Sequence, residues 1–239
     1  MKNMKNIICS YKIDDEIEKN LINLSINPVK LRGFEKLNKS NPLNYHPDML
    51  CFNLDKNKWI FYEKIYKINK SIIDKLNFEI IIADNPKLYQ YPYDIGLNAV
   101  MFGDYLIGNV KYINKNILEY AKKTNKKIID VKQGYTKCSV CIVDENSIIT
   151  SDESIYKKAI ENNINVLLIK KGHIDLDSYE YGFIGGCSGL IDKNKLVFTG
   201  DITLHPNYKD IKSFCDNRKV EIISLSKKKL YDYGSLLCI

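Results

Sequence analysis

Apolar positions in this chain come in short runs separated by polar turns, and the runs repeat in one order. In the clearest copy, residues 138–143 form a β-type run, Asp144-Glu145-Asn146 a turn, and residues 147–150 a second strand. Ser151 or Asp152 then caps a helix that extends to about residue 162, with Ile155, Ala159 and Ile160 on its apolar face. Asn163 ends that helix, and residues 165–169 read as a buried strand. The order is strand, strand, helix, strand.

The same order recurs along the chain. Residues 189–191, the turn Asp192-Lys193-Asn194 and residues 196–199 predict a hairpin, followed by a helix over 208–217 and a strand over 220–225. Upstream, residues 49–54, Asp55-Lys56-Asn57 and residues 59–61 predict another, with a helix over 67–76 and a strand over 78–82. Between them lie residues 99–102, the turn Gly103-Asp104, residues 105–107, a helix over 114–124 and a strand over 127–131. Three of these four turns read Asp-x-Asn, a chemistry suited to tight hairpins. The ends supply a fifth unit: a lone strand over 234–239, then a strand over 7–10, a helix over 14–24 and a strand over 29–31.

An aromatic residue precedes each unit: Tyr45, Tyr93, Tyr135, Phe183 and Tyr233. Their spacings are 48, 42, 48 and 50, and 51 through the termini. A near-constant period with one unit completed by both ends predicts a closed ring rather than a capped solenoid. The expected architecture is α/β: a five-bladed ββαβ propeller with pseudo-fivefold symmetry. It forms a single domain over 1–239, with blades near 43–84, 93–131, 133–170, 182–226, and 233–239 joined to 1–32. Truncating either end is expected to open the ring.

Composition adds little to this pattern. Hydrophobic residues make up 45% and charged ones 27%, which excludes disordered and low-complexity classes. No apolar run is long enough for a membrane span, and the first ten residues lack a signal-peptide core, so the expectation is a cytoplasmic protein. The formal charge of +7 is the difference between 36 basic and 29 acidic residues, and of the basic ones only Arg32 and Arg218 are arginines. Lysine bias explains that charge better than a polyanionic partner, and no cluster of nucleic-acid type stands out. Seven scattered cysteines argue against a disulfide framework. Cys138 and Cys141 form the only CxxC. On a strand they would face opposite ways, which opposes a metal or redox role, so neither a metal nor a cofactor is expected.

Candidate chemistry gathers where the first strand of each unit opens. His46 and Asp48 flank Pro47 and share a face on an extended chain. Asp94 and Asn98 frame the second opening. Lys137, Cys138 and Ser139 lie at the third, and Cys187 and Ser188 at the fourth, in Ile184-Gly185-Gly186-Cys187-Ser188-Gly189. Tyr231-Asp232-Tyr233-Gly234-Ser235 is the fifth opening and leads into Leu236-Leu237-Cys238-Ile239. The five aromatics suit stacking on a planar cation at the pore mouth. His173-Ile174-Asp175 falls in a loop, and His205-Pro206 before a helix.

Five ββαβ units resemble the pentein, or guanidine-modifying, superfamily, in particular amidinotransferases, agmatine deiminases and a clostridial-type bacterial branch. The segment 234–239 is similar to the Gly-x-Ile-His-Cys strand that carries the nucleophile of agmatine deiminases. The resemblance implies a Cys-dependent hydrolase or transferase acting on a small guanidino or amidino compound in the central pore. A Cys thiolate would attack, a His would move protons, and two carboxylates would hold the guanidinium. The candidates for catalysis are then Cys238, Cys187 and His46. Asp48, Asp94, Asn98, Lys137, Cys138, Ser139 and Ser188 are candidates for binding. Aligning 186–191 with 233–238 places Cys238 at the turn end of its strand. The third unit, 133–172, has no His on its strands, a departure from the deiminase arrangement. The alternative is a non-catalytic module that keeps the scaffold to bind a ribosome or a protein.

Overall fold

The structure, a computed structural model, describes residues 4–34, 41–86 and 90–239. Residues 1–3, part of the split fifth unit of the sequence reading, lie outside the described residues.

The chain opens with β1 (Lys5–Ser10), α1 (Asp15–Asn23) and β2 (Ile26–Leu31). A short helical turn, α2 (Pro47–Leu50), leads into β3 (Cys51–Asp55), β4 (Lys58–Tyr62), α3 (Glu63–Ile73) and β5 (Glu79–Ala83). The next unit is β6 (Val100–Phe102), β7 (Tyr105–Gly108), α4 (Lys115–Lys123) and β8 (Lys127–Asp130). A second helical turn, α5 (Thr136–Ser139), precedes β9 (Val140–Asp144), β10 (Ser147–Thr150), α6 (Glu153–Glu161) and β11 (Asn165–Leu168). Then come β12 (Ser188–Asp192), β13 (Lys195–Phe198), α7 (Tyr208–Asp216), β14 (Glu221–Ser224) and finally β15 (Leu237–Cys238).

These strands form five three-stranded sheets. In each, the first strand pairs antiparallel with the second and the second parallel with the third, as a hairpin followed by a helical crossover requires. The fifth sheet has the order β15-β1-β2, so the two ends of the chain meet in one blade. The first strands of all five sheets contribute to the wall of one cavity of about 1120 Å³, which places them around a common axis. The five-bladed α/β propeller expected from the repeat is therefore the observed architecture.

Local chemistry explains the units. Asp55, Asp144 and Asp192 each turn a carboxylate onto a backbone N–H of their own hairpin turn, at 3.0, 2.8 and 2.9 Å. Asp14, Asn114 and Asp152 cap their helices by accepting from the N–H two residues on. Each long helix buries residues four apart: Ile17 and Leu21, Ile65 and Asn69, Ile117 and Ala121, Ile155 and Ala159, Ile211 and Cys215. Asn69 is polar yet fully buried, because its amide exchanges hydrogen bonds with the Arg32 backbone at 2.9 and 2.8 Å.

Two local expectations are corrected. The chain is not extended from His46 through Asp48: His46 is extended, but Pro47 starts a helical turn, where its fixed φ is already suitable and its missing N–H costs nothing. Cys138 is not a strand residue either, because it lies on α5 and the strand begins only at Val140. Among the described residues, no helix is long and apolar enough to cross a membrane.

Candidate active site

The two helical turns face each other across the ring centre. From α2 comes Asp48, with His46 as its cap, and from α5 come Lys137 and Cys138. An imidazole nitrogen of His46, a carboxylate oxygen of Asp48 and Cys138 Sγ lie within 4.8 Å of one another. All three residues are buried, and no other three His, Cys, Asp or Glu side chains converge this closely among the described residues.

The Cys138 thiol donates toward both Asp48 oxygens, at 3.3 and 3.2 Å. Asn98 turns its amide Nδ2 toward the same centre, 3.3 Å from Cys138 Sγ and 3.1 Å from the Asp48 carbonyl oxygen. The orientation of that amide is fixed, because Asn98 Oδ1 accepts from the Lys137 backbone N–H at 2.8 Å. The C-terminal segment supplies the rest. Ser235 Oγ lies 2.6 Å from Asp48 Oδ2 and accepts from Lys137 Nζ at 3.0 Å. Asp232, 1% exposed, accepts from the backbone N–H groups of Phe183 at 2.9 Å and Gly234 at 3.0 Å.

Glycines make this approach possible. Gly234 has φ +80°, and a Cβ there would sit 2.3 Å from His46 Cα. A Cβ on Gly186 would come within 1.9 Å of Asp232 Oδ1. A side chain at either point would collide with His46 or with Asp232.

Burial governs the protonation of the cluster. It pushes His46 down to about 4, against the pull of Asp48. Burial pushes Asp232 up to about 6 and raises Asp48. The Cys138 thiol is held well above its ordinary value by burial and then by the Asp48 and Asp232 charges. At neutral pH the site therefore presents a neutral imidazole and a thiol. His46 Nδ1 lies 3.7 Å from Asp232 Oδ1, beyond hydrogen-bond length, and has no partner among the described residues.

The cluster separates two cavities. The larger, of about 1120 Å³, is reached by Asp48, Lys137 and Ser188. The smaller, of about 420 Å³, is lined by His46, Asp232, Tyr45 and Tyr233.

Of the residues singled out in the sequence, the structure brings His46, Asp48, Asn98, Lys137 and Cys138 together. Ser139 neighbours them in sequence, but its buried hydroxyl has no partner among the described residues. Ser188 donates to the Gly185 carbonyl at 3.2 Å beside the large cavity. Asp94 stands apart: burial pushes its carboxyl up to about 6, and it lies within electrostatic reach of Tyr135 and Tyr179. Cys187 is not brought to the cluster, since its thiol donates to the Ile184 carbonyl inside an apolar core shared with Cys141. Cys238 is half-buried, with its thiol toward the Ile191 carbonyl near the hairpin turns. His173 packs its ring against His205, 5.7 Å away. Asp232 and Ser235 are site residues that sequence reasoning did not single out. The available signal was their place at the fifth opening, equivalent to that of Asp48 at the first.

A ring of five ββαβ blades is the pentein fold. The chain belongs to the family described as "Family of unknown function (DUF6873)", whose sequence model matches residues 8–237. Similar solved structures include SxtG, an amidinotransferase from Microseira wollei in the saxitoxin biosynthetic pathway, with TM-score 0.58 and 11% identity over 93% of this chain and 88% of that one. DDAH from Pseudomonas aeruginosa in complex with citrulline gives TM-score 0.55 and 10% identity, covering 99% of both chains. C. jejuni agmatine deiminase gives TM-score 0.55 and 10% identity over 98% of this chain and 93% of that one. No curated protein matches the chain.

Proposed function

We propose that the protein is a Cys-dependent hydrolase or transferase acting on a small guanidino or amidino compound, with Cys138 as nucleophile. The observation that carries this reading is the convergence of one thiol, one neutral imidazole and two buried carboxylates at the ring axis. Two proteins of similar structure, an amidinotransferase and an agmatine deiminase, support the same substrate class.

The chemistry follows from the arrangement. A planar guanidinium reaching the cluster past Tyr45 and Tyr233 meets Asp232, which holds it by charge-assisted hydrogen bonds. Its positive charge offsets the Asp232 charge that helps keep the thiol protonated, so Cys138 is activated when substrate is bound. The S–H bond breaks and its proton passes to a base in the cluster, while sulfur attacks the central carbon and a C–S bond forms. The leaving amine departs with a proton that His46 relays. Water, or an acceptor amine in a transferase, then attacks the same carbon and frees the thiol. This places the nucleophile on the third unit and the imidazole on the first, not on the fifth and third as in the deiminase pattern.

A second reading, a non-catalytic binding module, draws on the closure of the axis: Cys138 lines neither cavity. Turnover separates the two. Guanidino acids, guanidino amines and N-methylated guanidines are incubated with the protein, and ammonia, urea-type product and amidine transfer to added amines are measured. The enzyme reading expects turnover on at least one compound and a loss of roughly 10³-fold in Cys138→Ser. Absence of turnover across the panel, or full activity in Cys138→Ser, overturns it.

A further inference from the structure

Asp48 has a neighbour that neither a guanidinium-binding carboxylate nor a buried structural acid requires. Lys137 reaches it through a single hydroxyl. Ser235 Oγ lies 3.0 Å from Lys137 Nζ, 2.6 Å from Asp48 Oδ2 and 3.0 Å from the Gly185 carbonyl oxygen. A hydroxyl has one proton to give. Here it accepts from the ammonium and has two acceptors for that proton, the Asp48 carboxylate and the Gly185 carbonyl. Ser235 holds this position at φ +69°, a left-handed conformation that L-residues other than Asn and Asp rarely adopt.

The thiol contacts point the same way. Cys138 donates to Asp48 at 3.2 Å, whereas His46 Nδ1 has no partner among the described residues. Asn98 is already in place to donate to the sulfur. The charged and titratable groups around Asp48 are His46 and Cys51 from its own segment, Lys137 and Cys138 from α5, and Asp232 from the C-terminal segment. Among these, Lys137 is the one ammonium, and its Nζ donates to Ser235 Oγ.

We propose that Asp48 is the base that takes the Cys138 proton, and that Lys137, acting through the Ser235 hydroxyl, sets the pH above which Asp48 is ionised and able to take it. The proposal rests on the enzyme reading above and adds to it a base and a positioning pair. The step balances. The S–H bond breaks, its electron pair stays on sulfur, and an O–H bond forms on Asp48, so one negative charge moves from carboxylate to thiolate. Asn98 then donates to the thiolate. Ser235 swings its proton from Asp48 to the Gly185 carbonyl and accepts from the new carboxylic acid, while Lys137 continues to donate to it. The two acceptors around Ser235 serve the two states.

The test measures alkylation of Cys138 by iodoacetamide between pH 5 and 10, read by peptide mass spectrometry on the intact protein. The wild-type rate rises with pH through the ionisation of Asp48. In Ser235→Ala and in Lys137→Met that rise moves to higher pH by about one unit, and the rate below it falls about tenfold. Lys137→Arg keeps the charge and brings the rise back toward the wild type. Lys56→Met, on the rim of the large cavity, leaves it unchanged. An unshifted rise in both Ser235→Ala and Lys137→Met overturns the proposal. Should Ser235→Ala not fold, the two Lys137 variants decide. Failure is separable from failure of the enzyme reading, because labelling needs no substrate. Turnover with an unshifted rise removes only the Asp48–Lys137 coupling, and a shifted rise without turnover removes only the catalytic assignment.

Discussion

His46 and Asp232 sit side by side, and the same burial drives them in opposite directions. His46 is pushed down to about 4 from an ordinary value of 6.5, so the unfolded chain takes up a proton before the folded one does. Its contribution to stability is complete above pH 6.5 and is lost as pH falls through about 4. Asp232 is pushed up to about 6 from 3.8, so its contribution is complete below pH 3.8 and is lost as pH rises through about 6. The two partly cancel in the wild type, and a single-site variant is needed to see either one. His46→Asn should remove the histidine component. Between pH 7 and 4.5 the wild type should lose about 2–3 kcal/mol more than the variant, measured by urea unfolding at each pH. Equal losses in the two proteins would mean that His46 titrates normally. The residue scale was also the hardest to read from sequence. Ser235 meets Asp48 across 187 positions and Cys138 meets it across 90, distances over which local patterning carries no signal.

At the scale of elements, much of the fold was legible because its rules are local. The hairpin turns announce themselves through an Asp whose side chain bonds its own turn, and the helices through apolar residues four apart. The four-residue turns α2 and α5 were not legible. They are shorter than a helical period can register, and the apolar run of the following strand extends into them at Met49, Leu50 and Cys138. These turns carry the site. They rotate Asp48 and Cys138 toward the axis, so reading both segments as strands obscured the meeting of the two side chains. The other critical element is β15, which pairs Leu237 with Ile8 and Cys238 with Ile7. Deleting residues 237–239 leaves β1 without its antiparallel partner. It should lower Tm by several degrees, at about 2–4 °C per kcal/mol for a chain of this size, and expose the β1 amides to hydrogen exchange. An unchanged Tm would show that β15 does not help close the ring.

For the whole molecule, fivefold repetition brings the openings of five units to one axis, and the sequence then breaks the symmetry. Three of the openings supply the cluster's main groups: the first an imidazole and a carboxylate, the third a thiol and an ammonium, the fifth a carboxylate and a hydroxyl. The second adds Asn98, and the fourth contributes mainly close-packed backbone. The ring is what lets residues so distant in sequence form one site, and the cavities on either side give that site two approaches. In the proposed function this axial cluster activates Cys138 toward planar cations. Limiting chloroacetamidine, a cationic alkylating agent, followed by peptide mass spectrometry tests it most directly. Six of the seven cysteines are buried and Cys238 is half-buried, so unselective chemistry would reach Cys238 first. Cys138 should be labelled ahead of the other six thiols, and faster by chloroacetamidine than by neutral iodoacetamide. Labelling led by Cys238, or spread evenly over the thiols with no preference for the cationic reagent, would contradict it.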